Sequence, residues 1–328
     1  MKKVSLKDIA DSLGVSKALV SLVLNGKGDE RGINKDTQER VRKKAKELNY
    51  VPNQYARGLR VGRTDTIGVI VPDISNVFYG KLCKAIEQEA YRKGFNLIIS
   101  NTYEDIQKEK KLITDLINRN IDGLILASSF DDKNELQGLK DNNVPLVLVD
   151  RVFDELEIDS VAVSNREGAE KAVEFLYSLG VKNPVCFSIS PVYISSISER
   201  IQGYLSAVQD DDKAKLFQIP HDRIQEGVNM ALNELKGSDY DGIFCVNNSI
   251  AKAILKASSV QNDLINHVKI VSFDDIEIFD IVNPKISSVA QPIDEIGTAA
   301  VSMLIDSMEN KDSHRIEKRI LETTLIER

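Results

Sequence analysis

Residues 6–28 read LKDIADSLGVSKALVSLVLNGKG, and this stretch decides the fold of the N-terminal part. Ser5, just before it, can cap a helix, and Asp8 three residues on completes a capping box. Ile9, Ala10 and Leu13 supply one apolar face. Gly14 ends that helix and makes the turn; Ser16 then caps a second helix carrying Leu19, Val20, Val23 and Leu24. Asn25-Gly26 stops it and opens a polar, Gly-rich loop from Lys27 to Gly32. Asn34 caps a third helix through Leu48, with Val41, Ala45 and Leu48 inward and a run of Arg and Lys mostly outward. Helix, Gly-containing turn and Ser-capped helix form the helix-turn-helix pattern, whose second helix enters the DNA major groove with its N-terminal side chains at base edges. The positions expected to be exposed for that purpose are Ser16, Lys17, Ala18, Ser21 and Leu22, with Asn25 at the end.

Charge points the same way. Residues 1–63 carry 15 Lys/Arg against 7 Asp/Glu, a net of +8, and the remainder carries 28 against 43, a net of −15. A basic head on an acidic body suggests a polyanion partner for the head alone. The 328 residues suit two or three domains, and a 42% hydrophobic, 28% charged composition is that of a globular chain able to bury its own core. No run of about 18 apolar residues occurs, so no membrane partner is expected. Lys2 and Lys3 have no apolar stretch behind them, so a secretory signal is not expected. Cys83, Cys186 and Cys245 are odd in number and far apart, which fits a reducing cytoplasm. His221, His267 and His314 are scattered, so no metal or other cofactor is expected.

Residues 51–63, VPNQYARGLRVGR, read as a linker with helical potential in its middle. From Thr66 onward apolar runs alternate with amphipathic stretches. Ile67–Val71, Leu97–Ser100, Gly123–Ala127 and Leu146–Val149 read as buried strands, with helices near 78–93, 106–119 and 133–142 between them. A second set follows: strands near 161–163, 185–189, 242–246 and 269–273, helices near 167–179, 200–209, 223–236 and 250–257. A helix over 294–309 precedes a strand-like tail near 319–325. Such alternation implies parallel sheets with right-handed crossovers.

Three separated blocks, the stretch above, ELNYVPNQYARGLRVGRT (47–64) and IGVIVPDISNVFYGKL (67–82), together with VNN (246–248), VSFDDIEIF (271–279) and VAQPIDEIG (289–297), resemble the LacI/GalR family of repressors over nearly the whole chain. The resemblance implies an all-α helix-turn-helix domain over 1–50 and a hinge over 51–63. It implies an α/β periplasmic-binding-protein-like (type I) core over 64–328, built of two doubly wound parallel-sheet subdomains (64–162 with 292–320, and 163–291). It implies that the segment around Asn53–Arg60 becomes a helix only on operator DNA. There Leu59 would wedge between central base pairs and kink the duplex, as apolar minor-groove wedges do. Asn53 and Ala56 match minor-groove positions, and Tyr50 a phosphate-contacting tyrosine. The candidate DNA-contacting set is Ser5, Ser16, Lys17, Ala18, Ser21, Leu22, Asn25, Tyr50, Asn53, Ala56 and Leu59. Leu19 and Leu22 stand where many relatives carry Thr and Arg, so the preferred operator should differ at the matching bases. The Lys27–Asn34 loop is about three residues longer than usual in the family.

Open α/β sheets bind ligands beyond the C-terminal ends of their strands. The residues just past those ends are Asp73, Ser75, Asn76 and Phe78, then Asp150 and Arg151, then Asn247 and Asn248, then Asp274 and Asp275. Carboxylates, amides and guanidinium beside an aromatic wall suit polyol recognition. By resemblance Arg200, in SERIQGY (198–204), grips the effector, with Asn247 and Asp274 as its partners; Tyr193 and Phe78 are candidates to stack on it. Asn248 and Ser164-Asn165 stand where Asp and Asp-Asn are common. The reading is a homodimeric, sequence-specific regulator, an operator-DNA binder controlled by a sugar-like small molecule. An enzyme is not expected: GxGxxG, GxxxxGK[ST] and GxSxG motifs are all lacking.

Overall fold

The computed structural model describes residues 4–50, 63–141, 144–153, 155–209, 214–260, 268–310 and 313–328. The chain divides into two compact units, Met1–Thr64 and Asp65–Arg328. Among its described residues the first unit holds three helices, α1 (Leu6–Leu13), α2 (Lys17–Leu24) and α3 (Lys35–Glu47). Ser5 caps α1 through the expected box: its hydroxyl accepts from the Asp8 amide while the Asp8 carboxylate takes the Ser5 amide at 2.7 Å. Gly14 closes α1 at φ 64°, a left-handed conformation that a Cβ would penalise. Ser16 and Asn34 cap α2 and α3 as their sequences predict. Ile9, Ala10, Val20, Val23, Val41 and Ala45 form the shared core.

The second unit holds two six-stranded sheets. The first contains β1 (Thr66–Val71), β2 (Asn96–Asn101), β3 (Gly123–Leu126), β4 (Leu146–Val149), β5 (Asp159–Val163) and β11 (Lys318–Leu321), in the order β11-β5-β4-β3-β1-β2. The second contains β6 (Pro184–Ser190), β7 (Lys215–Pro220), β8 (Gly242–Cys245), β9 (Lys269–Phe273), β10 (Ser287–Ala290) and β12 (Thr324–Ile326), in the order β12-β10-β9-β8-β6-β7. All pairs are parallel except β10–β12. Sidedness follows the two-residue period of a strand. Val147 and Val149 of β4 join one core, with Leu82 and Ile86 of α4 (Val77–Arg92) and Leu304 of α12 (Ile293–Glu309). Leu146 and Leu148 join the other, with Ile113 and Leu116 of α5 (Ile106–Asn118) and Leu136 of α6 (Lys133–Asp141). Both faces are covered, so the strands read as continuous apolar runs. The second sheet is flanked by α7 (Asn165–Ser178), α8 (Ser195–Ala207), α9 (Ile224–Leu235) and α10 (Asn248–Val260), with a short α11 (Ile278–Ile281) after β9.

Three features differ from the sequence expectation. The strand near 161–163 was grouped with the second set, yet β5 pairs with β4 in the first sheet. The tail near 319–325 is two strands: β11 pairs with β5, and β12 crosses to pair antiparallel with β10. β7 and β10 had no clear signal, because KLFQIP starts with Lys and ends with Pro, and SSVA is half serine. The chain therefore passes between the sheets after β5, after β10 and after β11. The first and last passages touch: Ser164 donates its amide to the Leu321 carbonyl, and the Thr323 amide donates to Ser164 Oγ at 3.1 Å. On α7 and α8, Gly203 allows close approach: a Cβ there would lie 2.3 Å from the Arg166 carbonyl oxygen. No helix among the described residues is long and apolar enough to cross a membrane.

Candidate functional site

In the head, Ser16, Lys17, Ala18 and Asn25 are exposed along α2 and at its end. Ser21 and Leu22 are half-buried rather than exposed, and Leu22 is absent from the side chains packed on the head core. The Ser16 hydroxyl takes the Leu19 amide at 3.1 Å, and the Asn25 amide group donates to the Ser21 carbonyl at 2.6 Å. Lys17 and Ala18 thus sit on the exposed first turn of a capped helix, the position from which side chains reach base edges. Ser5 lies at the start of α1 with its hydroxyl on Asp8 Oδ2. Tyr50 is half-buried and packs against the head core. The long loop is tied down by buried Gln38, which donates to Asp29 and to the Ile33 carbonyl, both at 2.8 Å. Asn53, Ala56 and Leu59 lie outside the described residues.

In the second unit a cavity of about 330 Å³ opens between the sheets, past the C-terminal ends of β1, β4, β8 and β9. It gathers Asp73, Asn76, Phe78, Asp150, Arg151, Arg200, Asn247 and Asp274 from the expected set. Ser75 and Tyr193 are not in its lining: Ser75 turns back to Asp73, and the Tyr193 hydroxyl donates to the Ser129 carbonyl at 3.1 Å. In its wall Arg200, buried on α8, sits over Phe273 with its guanidinium carbon 3.7 Å from the ring centroid. Its Nε donates to Asn165 Oδ1 at 2.8 Å and its Nη1 to the Val246 carbonyl at 2.9 Å. It lies 3.8 Å from Asp150 and 3.9 Å from Asp274, while its Nη2 is buried without a hydrogen-bond partner.

Sequence reasoning missed several members. Tyr79 donates to Asp150 Oδ2 at 2.8 Å, and Glu104 holds Arg151 through two bonds of 2.6 and 2.7 Å. Gln291 donates to Asp274 Oδ1 at 2.6 Å and leaves its own Oε1 unpartnered. Asn248, rather than Asn247, binds Asp274 at 3.0 Å, while Asn247 Oδ1 caps α10 through the Ile250 amide. The Gln291 signal lay in VAQPIDEIG (289–297), read above only as a resemblance. Tyr79 and Glu104 carry no local signal, since their partners are 71 and 47 positions away.

Electrostatics in the cavity follow from burial and pairing. Burial pushes the Asp150 carboxyl above its ordinary value, and Arg200 and Arg151 only partly offset that. Burial also pushes the Tyr79 phenol up. For Glu104 burial acts upward too, but the paired Arg151 bonds win and hold it below the usual range. The result is a small cleft that sets buried donors and acceptors beside apolar side chains, as hydroxyl groups require.

A helix-turn-helix head followed by a two-sheet ligand cleft defines a ligand-responsive transcription regulator. The chain belongs to the LacI family: the model for bacterial regulatory proteins of the lacI family matches residues 5–53, and that for periplasmic binding proteins and the sugar-binding domain of the LacI family matches residues 64–327. It is a DNA-binding transcription regulator. The chain is similar to the ribose operon repressor of Halalkalibacterium halodurans, 33% identical over 95% of this chain and 93% of that protein. Among solved structures it is similar to a LacI family transcriptional regulator from Enterococcus faecium with bound ribose, 26% identical over 80% of this chain and 97% of that one, TM-score 0.71. The fold also matches the lac repressor dimer bound to operator and the anti-inducer ONPF, 22% identical over 100% of this chain and 98% of that one, TM-score 0.84.

Proposed function

We propose that this chain is a homodimeric repressor whose operator affinity is set by a monosaccharide in the cleft around Arg200. The observation that carries the reading is the convergence of Arg200, Asp150, Asp274 and Gln291 on a cavity of about 330 Å³, near the small end of ligand-pocket sizes. Arg200 Nη2 is a buried donor and Gln291 Oε1 a buried acceptor, both without partners, and a sugar hydroxyl satisfies either. The ribose named for the similar repressor and the similar solved structure fits that size. A non-enzymatic role is supported by the family match and by the regulator named among the similar proteins.

Two-fold pairing of the heads matches a pseudo-palindromic operator. Leu59, Asn53 and Ala56 act there as minor-groove contacts from the segment over 51–63, and Lys17 and Ala18 set base preference. Helix α4 (Val77–Arg92) and the segments near 250–257 and 276–283 form the dimer surface. Ile278 and Ile281 on α11, 38% and 77% exposed, supply apolar area for it.

The test is a calorimetric titration of the full chain with D-ribose and other neutral monosaccharides, free and saturated with operator selected from random DNA. One sugar should bind with different affinities in the two states, typically by 5–150-fold, because coupling is reciprocal. Equal affinities refute control of the operator by the sugar. Equal binding of selected and scrambled duplexes at physiological salt refutes sequence-specific regulation.

A further inference from the structure

We infer that the cleft selects an uncharged sugar and rejects its phosphorylated form, an inference that rests on the sugar reading above and narrows it. Phosphate recognition needs uncommitted cations or clustered backbone amides. Among the described residues the lining offers five carboxylates, Asp73, Glu104, Asp150, Asp222 and Asp274, against two guanidiniums and the His221 imidazole, with no lysine.

Each guanidinium keeps one nitrogen without a hydrogen-bond partner, Arg151 Nε and Arg200 Nη2, and each of these faces Asp150, at 3.7 and 3.8 Å. Arg151 is held bidentate by Glu104, at 2.6 and 2.7 Å, and also donates to the Ser128 carbonyl and Ser129 Oγ at 3.2 Å. Arg200 lies between Asp150 and Asp274, and two of its three nitrogens are already spent on Asn165 and Val246. Its remaining Nη2 points where Asp150 Oδ1 lies 3.8 Å off, so a phosphate oxygen arriving there meets a carboxylate beside it. A sugar hydroxyl in the same place accepts from Nη2 and donates to Asp150, which suits both.

Helix starts do not reverse the balance. Asn76 Oδ1 covers the Phe78 amide at the start of α4, and Asp274 and Asn247 cover those of α10. The first turn of α8 has no side-chain cap, and Ser196 brings it to the cavity. A helix terminus is worth about half a positive charge, which does not outweigh the excess of carboxylates. Protonating Asp150, whose affinity for a proton burial has already raised, still leaves more carboxylates than cations in the lining.

The experiment titrates the full chain calorimetrically with neutral aldoses and ketoses (D-ribose, D-xylose, D-glucose, D-fructose) and with the matching 5- or 6-phosphates. At least one neutral sugar should bind, and its phosphate should bind at least 100-fold more weakly. A phosphate that binds as tightly as its parent sugar, or more tightly, overturns the inference while the sugar reading stands. Binding of neither class overturns both. The Glu104→Gln variant releases Arg151 and should raise phosphate affinity at least 10-fold; Asp222→Asn removes a rim charge without touching the buried network and should raise it by a smaller factor. Unchanged phosphate affinity in both variants, with neutral-sugar binding retained, refutes charge as the cause of selection.

Discussion

Removing the guanidinium at the centre of the cleft should reveal how much folding energy that site stores. Arg200→Ala deletes two hydrogen bonds of 2.8 and 2.9 Å and a stacked contact of 3.7 Å on Phe273, and it leaves Asp150 and Asp274 facing each other without their shared cation. Breaking a buried ion pair by deleting one partner costs about 3–5 kcal/mol, and these contacts overlap with that figure rather than adding to it. In a unit of this size about 1 kcal/mol shifts Tm by roughly 2–4 °C, so the sugar-free variant should melt roughly 6–20 °C below the parent at pH 7.5. The cost is electrostatic, so acid should relieve it. Asp150 already has a raised pKa through burial, and without Arg200 it takes up a proton still more readily. The ionised form is the destabilised one, so the deficit should shrink as pH falls from about 7.5 to 5. Circular dichroism melts of both full-length proteins across that range measure it. A variant that melts with the parent at pH 7.5, or whose deficit is independent of pH, would show that Arg200 is not compensating buried carboxylates. The same variant should lose its response to sugar and keep its DNA affinity, because the head folds around a separate core.

Gly203→Ala drives a Cβ to 2.3 Å from the Arg166 carbonyl oxygen, so α7 and α8 must separate; urea unfolding should show a loss of about 1–3 kcal/mol with little change in m. Protonated His314 bridges Asp159 and Asp306 at 2.7 Å each; burial opposes its charge, but the carboxylates prevail and its pKa lies above the ordinary 6.5. That stabilisation is complete below the unfolded value and disappears as pH rises through the folded one, so Tm should fall as pH climbs above about 6.5, and His314→Gln should flatten that slope. Ser5→Ala removes half of the capping box and should cost about 1 kcal/mol, seen as faster amide exchange over residues 6–13 with residues 65–328 unaffected.

How much of this was legible depended on the distance over which each feature is encoded. The caps at Ser5, Ser16 and Asn34 and the turn at Gly14 are local, and sequence alone placed them correctly. Strands buried on both faces, such as LVLV over 146–149, announce themselves as apolar runs. The β7 and β10 strands do not, because their membership is decided by neighbours in the sheet rather than by their own composition. The same holds in the cleft. Asp150 and Asp274 could be found because they follow strand ends, whereas Tyr79 and Glu104 matter only once folding sets them against Asp150 and Arg151. That Tyr193 lies outside the cavity lining was not legible, because a loop aromatic near a cleft carries no sign of which way it turns.

Where the backbone leaves the first sheet at Ser164 and again at Thr323, two connecting segments run side by side and are tied by their own hydrogen bonds. Any rotation of one lobe against the other must twist this pair together, so the torsional stiffness of a few bonds limits how far a bound sugar can be felt elsewhere. Softening or bracing that spot changes the gain of the signal without touching either molecule that the protein recognises.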